Sequence, residues 1–276
     1  MATRTAKRTA KPAKTAGGKT RNSGAGAKPA PRAATPGARA AAAPSGAGTP
    51  FGAKRSAPNR PKTEAARKAR IAGIIKILDR TYPNATTALN WRTPWELLVA
   101  TILSAQCTDK RVNEVTPALF AKYPTVADFA HASQEELAND IRSTGFFNNK
   151  AKSLIGAARK LLADFNGEVP RDMDAMLSIP GVARKTANVV LGTAYGIPSG
   201  VVVDTHVQRV ALRLDLTTNI DPVKIERDLM QEIPAGRWIL FSHQLILHGR
   251  ALCVARKPRC AACPLDPICY AADKTK

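Results

Sequence analysis

Three sets of residues could carry chemistry. Four of the five cysteines lie in the last 24 residues, Cys253, Cys260, Cys263 and Cys269, spaced Cys-x6-Cys-x2-Cys-x5-Cys. Thiolates gathered like this are ligands or disulfides. The rest of the chain reads as intracellular, which disfavours disulfides. Spacing alone fits either zinc or an iron–sulfur cluster. Arg256, Lys257 and Arg259 lie between the first two cysteines. A loop pinned by metal and carrying three cations would be a rigid phosphate-binding surface. The second set is Arg184 and Lys185, which follow Pro180 and Gly181. The third is Asp204, at the end of a three-valine run and just before Thr205 and His206.

What these groups could do depends on where helices begin. Asp172 is placed to cap a short helix running towards Ile179, and Pro180 cannot continue it. Gly181 lets backbone amides in the turn approach another molecule closely. A second helix is expected from near Val182 to around Gly192, with Arg184 and Lys185 in its first turn. A helix N-terminus disfavours cations by roughly 0.3–1 kcal/mol each, so two of them suggest an anion bound above. Lysine is a nucleophile only when deprotonated. Desolvation, the helix N-terminus and the Arg184 charge are the expected means of favouring that form in Lys185. Asp204 reads first as an N-cap.

The other elements are helical too. Thr63 can cap a helix in which Ile71, Ile74, Ile75 and Leu78 recur at helical spacing. Thr93-Pro94-Trp95-Glu96 reads as a capping box ahead of an apolar helix from Leu97 to Ala105. Cys107 follows that segment as a small buried residue. Further helices are expected from Asp109 to about Tyr123, after Thr125 and Ser133, from Asn148 to Phe165, from Asp204 to Leu214, after Asp221-Pro222, and from Arg237 to Leu252. No persuasive alternating strand pattern occurs, so the fold class is all-α, built from many short helices.

Charge is lopsided: 42 Lys plus Arg stand against 21 Asp plus Glu. Residues 1–62 hold 14 of the cations and no acid, which leaves the remainder at +7. A basic protein favours a polyanion, nucleic acid before membrane. Between Met1 and Ile71 the only large apolar side chain is Phe51. The tail therefore cannot bury enough surface to offset ordering, and its composition predicts disorder and sequence-blind contact with DNA. It lacks the apolar core of a secretory signal and the apolar face of a transit peptide. No run of about 18 apolar residues marks a membrane span.

The run Pro180-Gly181-Val182-Ala183-Arg184-Lys185-Thr186-Ala187-Asn188-Val189-Val190 resembles the helix-hairpin-helix of base-excision DNA glycosylases, and among these endonuclease III. The family usually has glycine where this chain has Ala183; a positive φ there would cost alanine on the order of 1 kcal/mol. Val203-Asp204-Thr205-His206 matches the family's Val-Asp-Thr-His, and the cysteine spacing matches its [4Fe–4S] motif without change. Adenine glycosylases share the fold but lack the lysine and use a carboxylate in the helix corresponding to Leu97–Gln106, where this chain has no acid.

The resemblance covers about residues 64–272. It implies a six-helix barrel with the helix-hairpin-helix over 87–197. A four-helix iron–sulfur domain would be built from 63–86 and 198–276, with the site between the two. It makes Lys185 the Schiff-base nucleophile and Asp204 the second catalytic group. It also places Gln106 and Phe146 as fillers of the gap left by an extruded base, and Gly181, Val182, Ala183, Arg184 and His206 at the DNA. The family typically has leucine at Phe146. The activity implied is removal of oxidised pyrimidines from double-stranded DNA followed by β-elimination, by a monomer. Its place would be the nucleoid of a bacterial-type cytoplasm, or a nucleus or organelle in a eukaryote.

Overall fold

The computed structural model describes residues 60–275. Most of the basic tail, 1–59, lies outside the described residues. Just past it, the Arg60 guanidinium is held by Asp215 at 2.5 Å. Among the described residues there are eleven α-helices, a few single 3-10 turns and no strand.

Thr63 accepts from the Ala66 amide and opens α1 (Glu64–Thr81), which buries Ile71, Ile74 and Leu78. Thr93 caps α2 (Pro94–Leu103). The expected box is not reciprocal there: the Glu96 carboxylate reaches the Arg92 amide at 2.7 Å, one residue before the cap. Then follow α3 (Asp109–Lys122), α4 (Val126–His131) and α5 (Gln134–Asp140). Thr125 and Asp128 do form a reciprocal capping box on α4. Next come α6 (Phe147–Asp164) and the hairpin, α7 (Met173–Leu177) and α8 (Arg184–Tyr195). The chain continues through α9 (Thr205–Arg213), α10 (Pro222–Glu232), α11 (Trp238–Ala251) and the cysteine segment.

The second hairpin helix differs from the expectation at both ends. Val182 is 7% exposed and its amide donates to Ile179, so the turn runs two residues further and Ala183 becomes the cap. Gly192 does not stop the helix. A Cβ there would lie 2.8 Å from Ile239 Cγ1, so this glycine lets α8 pack closely on α11, and Gly196 at φ 68° forms the C-cap.

Two apolar clusters form. In the first, α2 is the central element, with Trp95 and Leu97–Leu103 largely buried against side chains from α3 to α8. In the second, α1 and α9–α11 pack together with Leu265 beside the cysteines. Arg70 fastens α1 to the C-terminal segment, its guanidinium donating to the Ile268 and Leu214 carbonyls. The clusters are bridged by ion pairs. Arg184 of α8 donates to Glu226 of α10 at 2.9 Å, and Arg250 of α11 meets Asp109 of α3 at 2.7 Å. Among the described residues no helix is long and apolar enough to cross a membrane.

Candidate active site and nucleic-acid interface

Asp172 accepts from the Ala175 amide and starts α7, as its position implied. Gly181 then has φ +79°, where an L side chain is strained, and a Cβ would fall 2.6 Å from Ser153 Cβ on α6. Glycine here serves the protein's own packing as well as any ligand. Ala183 has φ −95° and ψ 167°, an extended conformation open to any residue. The departure from the family's glycine therefore costs nothing in backbone strain. Among the described residues the Gly181 and Ala183 amides, both outside the helices, donate to no protein acceptor. They and the N-terminus of α8 form an exposed row of donors suited to an anion. Val182 does not join it, since both its side chain and its amide are turned inward.

The two cations at this terminus have different fates. Arg184 is half-buried and paired with Glu226, so part of the anion expected above the helix is supplied by the protein itself. Glu226 is buried and also accepts from Asn188 Nδ2 at 2.8 Å, and Asn188 Oδ1 accepts from Ser199 at 2.9 Å. A Cβ on Gly200 would lie 2.1 Å from Glu226 Oε1, so glycine lets the chain pass over this network. Lys185 is exposed and has no hydrogen-bond or ion-pair partner among the described residues. Of the expected devices the free protein keeps the helix N-terminus, for Lys185 stands in solvent and the neighbouring guanidinium is already compensated by Glu226.

Asp204 is the N-cap of α9. Its Oδ1 accepts from the His206 and Val207 amides, both at 2.8 Å. The second oxygen has no protein donor among the described residues, so the cap occupies half of the carboxylate. His206 and His243 both lie in the field of Asp204. Burial pulls each imidazole below its ordinary value, and the carboxylate opposes that shift. His206 Nδ1 is 3.2 Å from the Arg209 guanidinium, so His206 has a structural partner. No hydrogen bond joins Lys185 to Asp204 among the described residues. The segment carrying Asp204 leaves the Asn188 contact at Ser199, one helical turn from Lys185.

Gln106 and Phe146 occupy tight turns with φ of 54° and 49°. Both are exposed, and Phe146 is 62% so, which takes it out of the core. Left-handed backbone at residues other than glycine costs of order 1 kcal/mol or more and clusters at functional sites. Cys107, behind Gln106, is half-buried against the first cluster.

The four cysteines line one small cavity, otherwise walled by Val210, Leu214, Leu252, Pro258 and Leu265 among others. A cluster of several irons needs its sulfurs spread around a space. Four sulfurs around one cavity can serve a cluster or a single zinc, which takes sulfur at about 2.3 Å. Burial pushes the Cys263 thiol up to about 11 and raises Cys269 as well. These thiols need a bound cationic centre to persist as thiolates, so the donor set fits metal ligation, an iron–sulfur cluster included. The loop beyond Cys253 is held by buried Arg213, which donates to the Val254 carbonyl at 2.7 Å and the Ala255 carbonyl at 3.1 Å. Arg256, Lys257 and Arg259 project from it exposed, with Lys257 at φ 54°.

Three residues were not singled out from the sequence: Lys150, Glu226 and His243. A signal existed for two. Lys150 stands on the apolar stripe of α6 with Leu154, Ala157, Ala158 and Leu161, and Glu226 stands on that of α10 beside Ile225 and Leu229. A charge on an apolar stripe announces a buried partner without saying which one.

A family model described as HhH-GPD superfamily base excision DNA repair protein matches residues 99–235. Endonuclease III of Synechocystis is 55% identical over 208 residues, covering 75% of this chain and 95% of the relative. A solved non-covalent endonuclease III–DNA complex is 44% identical with a TM-score of 0.70, covering 73% of this chain and 94% of that one. A trapped endonuclease III–DNA covalent intermediate is 43% identical, also at 0.70, covering 73% and 95%.

Proposed function

The chain belongs to the endonuclease III family of base excision DNA repair proteins, and from that membership we propose a DNA N-glycosylase and abasic-site lyase that removes oxidised pyrimidines through Lys185. The observation that carries the proposal is an unpartnered lysine at the N-terminus of α8, beside a turn of free amides that can hold the flanking phosphate.

In this reading the neutral Lys185 Nζ attacks C1′ of the lesion nucleotide. The bond from C1′ to the base breaks, and the base leaves with the electron pair and gains a proton. Opening of the sugar ring gives an imine between Nζ and C1′. Loss of a C2′ proton sends electrons to expel the 3′ phosphate, and water then hydrolyses the imine to regenerate the lysine. Because Lys185 is exposed in the free protein, the desolvation that favours its neutral form comes from DNA closing over it. The uncommitted oxygen of Asp204 stabilises positive charge developing on the sugar and receives protons, while its partner oxygen keeps α9 in place.

Cys253, Cys260, Cys263 and Cys269 would hold a [4Fe–4S] cluster. Its contribution when bound is a rigid cross-link that fixes the Arg256, Lys257 and Arg259 loop against phosphates. The two apolar clusters support the division into domains at 87–197, and at 63–86 with 198–276. The partner is double-stranded DNA carrying a damaged base or an abasic site, and the protein acts as a monomer.

Borohydride trapping on an oligonucleotide containing thymine glycol or an abasic site tests this reading. Wild-type protein should form a covalent adduct, because borohydride reduces the imine. Lys185→Ala should bind the same duplex and form none. Normal trapping by Lys185→Ala would move the nucleophile to another amine.

A further inference from the structure

Lys150 is 5% exposed and is a buried cation that the chemistry above does not use. It is the fourth residue of α6, and its Nζ donates to two backbone carbonyls. One is Leu103, the last residue of α2, at 2.7 Å. The other is Thr144, two residues before Phe146, at 2.8 Å. Its backbone amide also donates to the Phe146 carbonyl at 3.1 Å. A cation at the C-terminal carbonyl of α2 is favoured by the helix dipole. The two carbonyls stand at the roots of two separate turns. The one after Leu103 presents Gln106, and the one after Thr144 presents Phe146, both exposed and both in left-handed backbone.

A buried ammonium is retained only when its donors are satisfied, and removing it strands the carbonyls it holds. Its geometry is also directional, because one nitrogen must reach both oxygens, which fixes how far apart the two turns can sit. We infer that Lys150 is a positioning residue that locks the Gln106 and Phe146 turns at one spacing, so that both side chains enter the gap left by an extruded nucleotide together. The inference rests on the glycosylase reading above. In that reading two side chains from two loops fill the gap, at a separation set by the base stack. Two independently mobile loops would lose that register, and misplacement of about 1 Å can cost on the order of a hundredfold in rate. Lys185 and Lys150 thus divide the work: the exposed lysine does chemistry, and the buried one holds the fillers in register.

The test places 2-aminopurine opposite an abasic site and reads its fluorescence at saturating enzyme, beside single-turnover excision from the matching lesion duplex. Wild-type protein should raise the fluorescence as the fillers displace the opposite base. Lys150→Met should lower that rise and slow excision by about tenfold to a hundredfold. Gln106→Ala and Phe146→Ala should act in the same direction. The double variant Phe146→Ala with Lys150→Met should lose less than the product of the two single losses, because both act on one device. If Lys150→Met does not accumulate folded, Lys150→Arg takes its place. It keeps charge and donors but carries a larger head that pushes the turns apart, and the same losses are expected. A Lys150 variant with the wild-type fluorescence rise and rate overturns the inference. So does multiplicative loss with Phe146→Ala, or the absence of any rise in wild type. Failure of wild-type protein to trap under borohydride is a separate result and rejects the glycosylase reading itself.

Discussion

Asp204 shows how one side chain serves structure and chemistry together. Its Oδ1 holds two amides of α9, while the other oxygen has no protein donor among the described residues. Replacing it with asparagine keeps a carbonyl oxygen for the cap. Asp204→Asn should therefore melt within about 1 kcal/mol of wild type, since a lost cap typically costs about that much. Turnover should fall on the order of a hundredfold to ten-thousandfold, the usual span for losing a general base. Thermal melts and single-turnover rates on one preparation separate the two roles, and full activity would reduce Asp204 to a cap. Arg184 teaches the opposite lesson. Its cation looks available in the sequence, yet Glu226 already compensates it.

The hairpin as an element depends on one glycine rather than two. Gly181 combines positive φ with a Cβ position 2.6 Å from Ser153, whereas Ala183 is extended. Gly181→Ala should lower stability by on the order of 1–3 kcal/mol from backbone strain and overpacking. Ala183→Gly should bring no gain, and at most a slight loss from added freedom of the unfolded chain. Melting temperatures of the two variants check this. A stabilised Ala183→Gly would show that the turn is strained at that position after all. The network of Arg184, Glu226, Asn188 and Ser199 gives the same element its second anchor, in the other apolar cluster.

The whole molecule adds two features to the helical frame, the cysteine end and the basic tail. Purified protein should be yellow-brown, with broad absorbance near roughly 400 nm from sulfur-to-iron charge transfer. A colourless, active preparation with stoichiometric zinc would reject the cluster. The tail is a matter of sequence alone. Each cation that meets a phosphate releases counterions, and phosphate contacts carry no sequence information. Removing residues 1–59 should weaken binding to damaged and undamaged duplex by a similar factor and flatten the salt dependence. Single-turnover chemistry at saturation should be unchanged. Titrations across a salt series check it: an unchanged slope would mean the tail does not touch DNA.

Much of this protein is written locally. Caps at Thr63, Asp172, Asp204 and Asp221 all start helices where the residue types place them, because a cap is a bond between neighbours three positions apart or fewer. The hairpin and the cysteine spacing are local too, and both can be read from the order of residues alone. The φ of Ala183, the exposure of Phe146 and the compensation of Arg184 cannot. Nor can the hold of Lys150 on Leu103, 47 residues away, or of Glu226 on Asn188, 38 residues away. A charge on an apolar stripe says that a partner must exist. Only the packing of α6 against the end of α2, and of α10 against α8, decides which carbonyl or amide it is. That packing depends on the shape of whole helices, and no pair of sequence positions encodes it alone.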